Sequence, residues 1–252
     1  MTGTNKTSAL RMGLLVFIFL AILTGIEFGI AILLNFWQLL LLVALIKAGL
    51  VMYYYMHIYK LFVADENADK ESYAYKLVTN RLGLWLFIVS DSFIFGGLMI
   101  ARVNLLGLNR PELDQALGLV VTSVLLISSF FMNRAETAMA HGDRKTFLAS
   151  TLITMLLGIG FVAGVLGVEW QIAPFGPSDG PQGAVFYTMT GFHAFHVLTG
   201  VIFLFIIFRN GLKGHYSPEK HWGVEACTVY WHFVDVVWIF FYPALYLIGT
   251  VI

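Results

Sequence analysis

An integral membrane bundle of seven α-helices is the fold class this sequence predicts, on three observations. The chain of 252 residues is 59% hydrophobic and only 12% charged, and its mean hydropathy is +0.81. Soluble domains carry about twice that share of charge. Its apolar residues fall in seven runs of about the length a bilayer-spanning helix needs. Its basic residues fall almost entirely in every second connection. Period-two alternation is absent, which disfavours a membrane β-barrel. Disorder is excluded by the hydrophobicity.

The seven predicted spans cover residues 12–34, 36–59, 82–103, 115–132, 146–168, 184–208 and 227–252. The first follows Lys6 and Arg11 closely, as a secretory signal would. It is too long for a signal core and lacks a small-x-small cleavage pattern, so it reads as a retained helix. It leads almost directly into the second, giving a tight hairpin. Residues 61–80 hold the densest charge, with Asp65, Glu66, Asp69, Lys70, Glu71 and Lys76, and read as a linker. A division follows: a hairpin over 1–60, the linker 61–80, and a five-helix domain over 81–252. Between spans five and six, Pro174, Pro177 and Pro181 with Gly176, Gly180 and Gly183 cannot continue a helix.

Twelve Lys and Arg lie on the side of the N-terminus, among them Lys60, Arg81, Arg134, Arg144 and Arg209. Arg102 and Arg110 alone lie on the other, and Lys47 sits inside a span. Basic residues collect on the cytoplasmic side of membrane proteins. The N-terminus is therefore expected in the cytoplasm and the C-terminus outside. Lys+Arg and Asp+Glu number 15 each, so no basic surplus points to nucleic acid. One cysteine, Cys227, makes no internal disulfide and no cysteine metal site by itself, and reads as a small buried apolar group.

Ionisable groups at membrane depth are costly and mark sites of interest. The sequence places Glu27, Lys47, His57, Asp91, His193, His196, His232 and Asp235 there, with Glu169 and Glu225 near span ends. Asp91 lies mid-span between Ser90 and Ser92, with Gly96–Gly97 open to the approach of another helix. It reads equally as a proton-accepting or lipid-coordinating carboxyl and as a neutral packing group. His193 and His196 are three residues apart, as are His232 and Asp235, so each pair shares a helix face. Glu225, His232 and Asp235 follow one stripe of the last helix. A haem or metal role is conceivable for these histidines. GFHAFH, however, has no third ligand beside it, and interhelical hydrogen bonding is the stronger reading. Trp231, Trp238 and Tyr53–Tyr54–Tyr55 read as packing or lipid-facing groups.

The runs RLGLWLFIVSDSFIF (81–95), LVVTSVLLISS (119–129), TLITMLLGIGF to VEW (151–170), TGFHAFHVLTG (190–200) and HWGVEACTVYWHFVDVVWIFFYPALYL (221–247) closely resemble subunit III of haem–copper oxidases of the cytochrome c oxidase type. LVALIKAGLVMYYYMHI (42–58) is similar to the second helix of the small prokaryotic subunit IV, with Lys47, Met56 and His57 matching its pattern. The chain thus looks like a fusion of the two. The resemblance implies a non-catalytic subunit with no redox centre of its own, in an oxidoreductase complex that reduces oxygen to water and pumps protons. Haem and copper would lie in partner subunits. Partners would be subunit I, subunit II and membrane phospholipids, with a respiratory supercomplex a further expectation, in a prokaryotic plasma membrane. Asp91 stands where the mitochondrial type has Glu, as in some quinol-oxidising members, and Arg209 resembles a family arginine at lipid headgroups. Asp91, His193, His196, Glu225, His232 and Asp235 are the expected buried polar network. The other readings are a quinol oxidase chain, a nitric oxide reductase accessory protein, and an independent transporter.

Overall fold

The computed structural model describes residues 6–33, 36–62 and 73–251. It has seven helices long and apolar enough to cross a membrane. They are α1 (Lys6–Leu33), α2 (Trp37–Tyr55), α3 (Tyr73–Leu106), α4 (Gln115–Ala140), α5 (Arg144–Ile172), α6 (Gly180–Leu212) and α7 (Trp222–Leu247). Half of the linker, residues 63–72 with Asp65, Glu66, Asp69, Lys70 and Glu71, lies outside the described residues.

The helix ends differ from the apolar runs for identifiable reasons. α1 and α3 begin before their apolar stretches, because Lys6, Tyr73 and Lys76 continue a helix into the polar layer. α4 runs on to Ala140, past Arg134 and Glu136. Asp114 caps its start, accepting from the backbone amides of Ala116 and Leu117 at 2.8 and 3.1 Å. Asp143 caps α5 through the Thr146 amide and also meets the Lys6 ammonium at 2.5 Å. These contacts hold its carboxyl well below the usual range, the Lys6 hydrogen bond foremost.

Two predicted spans end early. α2 closes in a π-helical turn, Val51–Tyr55, and His57 then takes φ +51°, a left-handed conformation that breaks the helix. α7 ends in a π turn that begins at Pro243. Gly249, at φ +101°, passes so close to the Leu108 carbonyl that a side chain would not fit. Thr250–Val251 (β2) then pairs in parallel with Asn109–Arg110 (β1), Asn109 opposite Thr250.

α7 is the centre of the bundle: 78% of its most apolar window is buried, against 11% for α3 at the periphery. Small residues let it pack. A Cβ on Gly158 would come within 2.5 Å of the Trp231 indole, and one on Gly200 within 2.8 Å. The ring is thus held between α5 and α6, and its Nε1 donates to Ser128 Oγ on α4 at 3.1 Å. Such close approach matters in a membrane, where lipid tails supply no hydrophobic drive between helices. Trp238 donates likewise to Thr122 at 3.0 Å. Tyr53 and Tyr54 are exposed, while buried Tyr55 donates to the Gly13 carbonyl at 2.9 Å and ties α2 to α1. Gly96 and Gly97, open by sequence to the approach of another helix, receive none from the described residues. Nothing stands within 4 Å of either position, and Gly96 instead borders an apolar groove.

Candidate functional site

The polar side chains predicted as one network occupy several separate places. The first is a charged cluster at one helix end. The left-handed turn at His57 folds Ile58–Phe62 back as a 3-10 turn, which brings Lys60 against α4 and α7. Lys60 Nζ stands 3.5 Å from Glu136 and 3.8 Å from Glu225. Arg81 of α3 grips both Glu225 oxygens, at 2.7 and 3.0 Å, the two-pronged geometry suited to a carboxylate. His57 Nδ1 lies 3.9 Å from Glu136. Burial pushes the His57 imidazole below its ordinary pKa despite Glu136. Burial also pulls on Lys60, but Glu136 and Glu225 outweigh it and raise its pKa. A pocket of about 320 Å³ opens beside this cluster, bordered by Lys60, Tyr73, Arg81, His221 and Glu225.

Deeper on α7, Ser129 of α4 donates to Asp235 Oδ2 at 2.6 Å and meets His232 Nδ1 at 2.7 Å. A hydroxyl has one proton to give. Given to Asp235, it leaves Ser129 to accept from His232, which puts a ring proton on Nδ1. On the hairpin side, Lys47 of α2 is hydrogen-bonded to Glu27 of α1, both fully buried. Toward the other membrane face, Tyr246 donates to Glu169. There Arg102, 2% exposed, donates to the carbonyls of Ala244, Gly107, Asn109 and Ile248. It closes the carbonyls freed where α7 ends.

Asp91 and His196 form a separate pair between α3 and α6, His196 Nε2 lying 3.3 Å from the carboxylate. Phe95 meets the same ring edge-on at 4.7 Å. His193, one turn away and fully buried, rests instead on Trp238 at 4.7 Å and Phe161 at 5.4 Å. The two histidines straddle the α6 ridge. Arg209 is exposed at the end of α6. Among the described residues, no three His, Cys, Asp or Glu side chains are grouped to hold a metal ion.

The apolar groove beside Gly96 has a volume of about 680 Å³. Met52 and Met56 of the hairpin, Trp85 and Phe95 of α3, and Phe240 of α7 border it.

Sequence reasoning did not single out Glu136, Lys60, Arg81 or Tyr246. Glu136 falls beyond the predicted end of its span, and Lys60 and Arg81 read as orientation charges. The opposite signs of Glu27 and Lys47 at mid-depth in consecutive spans were the available signal for that pair.

Comparison with known proteins gives a consistent result. The family Cytochrome c oxidase subunit III matches residues 6–250, hairpin included. Cytochrome c oxidase subunit 3 of Rhinoceros unicornis is 38% identical over 183 residues, covering 68% of this chain and 70% of the relative. Those of Bos taurus and Dugong dugon match with the same identity and coverage.

Proposed function

Since the chain belongs to the cytochrome c oxidase subunit III family, we propose that it is a non-catalytic accessory subunit of a respiratory haem–copper terminal oxidase. The family match from residue 6 to residue 250 carries this reading. The histidines of α6 and α7 support it, because each engages a different neighbour: half-buried His196 meets Asp91, buried His232 meets Ser129, and buried His193 packs against Trp238 and Phe161. Haem and copper are assigned to partner subunits. The outward faces of α1, α3 and α6 are apolar, with Phe19, Leu86, Phe93 and Phe195 exposed. They suit contact with lipid and with subunit I and subunit II. The complex reduces oxygen to water and pumps protons, and this chain sustains it from the side.

We assign residues 1–60 to a subunit IV-type hairpin joined by the 61–80 linker to the five-helix body of 81–252. The Lys47 and Met56–His57 pattern supports this. The groove between hairpin and body is read as a phospholipid site, with Arg209 as a further headgroup contact. The His57–Lys60–Glu136–Glu225 cluster is read as a proton-collecting surface. The twelve-to-two distribution of basic residues supports a cytoplasmic N-terminus, in a prokaryotic plasma membrane and within reach of a respiratory supercomplex.

The experiment is purification through a tag on this chain from mild detergent. Co-elution of haem-bearing partners, with the absorption bands of haem and a two-copper centre, is expected. Elution of the chain alone would sink the proposal in favour of a free-standing transporter.

A further inference from the structure

Ten buried side-chain polar atoms lack a hydrogen-bond partner among the described residues. Seven of them are on His57, Glu136, His232, Asp235, Glu27, Tyr242 and Glu169, which lie on α7 or on the elements packed around it. The α7 members of this seam and its ends, Glu225, His232, Asp235, Tyr242 and Tyr246, extend over 21 residue steps. At 1.5 Å per residue this is about 31 Å, the thickness of a bilayer core. Unpaired buried polar groups are expensive and are ordinarily satisfied by water.

The seam falls into two parts. On one side, His57 Nδ1 stands 3.9 Å from Glu136, Tyr55, two residues before His57, has its ring 4.9 Å from that of His232, and His232 is joined to Asp235 through Ser129. On the other side, Lys47, which is bonded to Glu27, borders the same small cavity as Tyr242, and Tyr246 is bonded to Glu169. Between the two parts is a cavity of about 30 Å³, bordered by Asp235, Ser129, Thr24, Thr122, Tyr242 and Lys47. That is room for about one water; Leu20, Val51, Leu125, Leu126, Trp238 and Ile239 form the rest of its wall, and Asp235 Oδ1 and the Tyr242 hydroxyl are its unpartnered polar groups.

We propose that the seam beside α7 conducts protons over bound water from the His57–Glu136 cluster as far as Asp235, and that the Lys47 ammonium is the electrostatic stop that keeps this path from crossing the membrane. Each group forms a bond to a proton from one neighbour and breaks a bond to the proton it passes on, so its proton count is unchanged. An ammonium has three donors and no lone pair, so it cannot accept a proton from the water beside it. Its charge repels an approaching hydronium in a low-dielectric interior, as fixed cations do in pores that exclude protons. By holding Glu27 as its counter-ion, Lys47 also withholds the carboxylate that would otherwise carry the proton on toward Tyr242. A membrane that stores energy in a proton gradient requires such a stop.

The test uses the intact complex containing this chain, reconstituted without substrate into tight phospholipid vesicles. Proton re-entry after an acid pulse is followed with an internal pH dye under a potassium–valinomycin clamp. Lys47→Gln is expected to raise re-entry several-fold, and adding Asp235→Asn to return it to the wild-type rate. Re-entry unchanged in Lys47→Gln overturns the proposal. So does a leak that persists in the double variant, because a leak from faulty assembly does not need Asp235. Lys47→Met serves if Lys47→Gln does not assemble. The wild-type complex decides independently: water density between Asp235 and Lys47 is expected at high resolution, and direct contact of the two side chains overturns the reading.

Discussion

Lys47 of α2 and Glu27 of α1 are ion-paired where neither meets solvent, their side chains 2% and 0% exposed. The pair joins the two helices of the hairpin at mid-depth. Its position makes it costly to half-remove: a buried ion left alone loses more than an absent pair does.

Glu27→Leu is therefore expected to destabilise the hairpin by about 3–5 kcal/mol. Glu27→Leu combined with Lys47→Leu should recover most of that loss. Thermal release of this chain from the detergent-solubilised complex measures both. Equal damage in the single and double variants would show that shape, and not the stranded charge, sets the cost.

The helix-end cluster gives stability two pH limits. His57 has a folded pKa below its ordinary 6.5, so the unfolded chain binds the extra proton first. Stability is full above about pH 6.5 and falls as pH drops through the folded value. Lys60 has a folded pKa above 10.5. Its contribution is full below that pH and is lost as pH rises through the folded value. His57→Asn should flatten the acid arm and Lys60→Met the alkaline arm of a melting-temperature profile. A profile unchanged by either would remove the cluster as its cause.

Gly200→Ala puts a methyl group within 2.8 Å of the Trp231 ring. Overpacking of this kind costs about 1–3 kcal/mol. The melting temperature of the complex should fall, and Trp231→Phe in the same chain should restore part of it by making room.

Asp91→Asn keeps the shape of the Asp91–His196 contact and removes its charge. In the assembled oxidase it is expected to hasten inactivation during turnover several-fold, with the initial rate little changed. Inactivation at the wild-type rate would confine this carboxyl to packing.

Orientation is open to direct labelling. Cys227 is 5% exposed, so cysteines introduced at exposed Ser178 and His215 can be read without first removing it. A membrane-impermeant thiol reagent added to intact cells should label Ser178→Cys, and should reach His215→Cys only after permeabilisation. The reverse pattern would invert the topology.

Length and hydropathy made the seven spans legible, because only a continuous apolar run of that size avoids exposing backbone to lipid. Their ends were less legible. Glu136 looked like a loop residue because charge ends an apolar run without ending a helix. His193 and His196 share a face by spacing, yet three residues turn a helix by about 300°, which is enough to send one ring to Asp91 and the other to Trp238. Glu225 and Asp235 share a stripe, but their partners Arg81 and Ser129 come from α3 and α4. Periodicity along one helix carries no information about which neighbour stands opposite.

Trp231 engages three helices at once, wedged between Gly158 and Gly200 and bonded to Ser128. Helices locked by such a wedge cannot slide past one another along the membrane normal. A bilayer thinner or thicker than the bundle then cannot be met by shearing α4 to α7. The adjustment falls to the two-helix arm of α1 and α2, by tilt, and to the lipid itself.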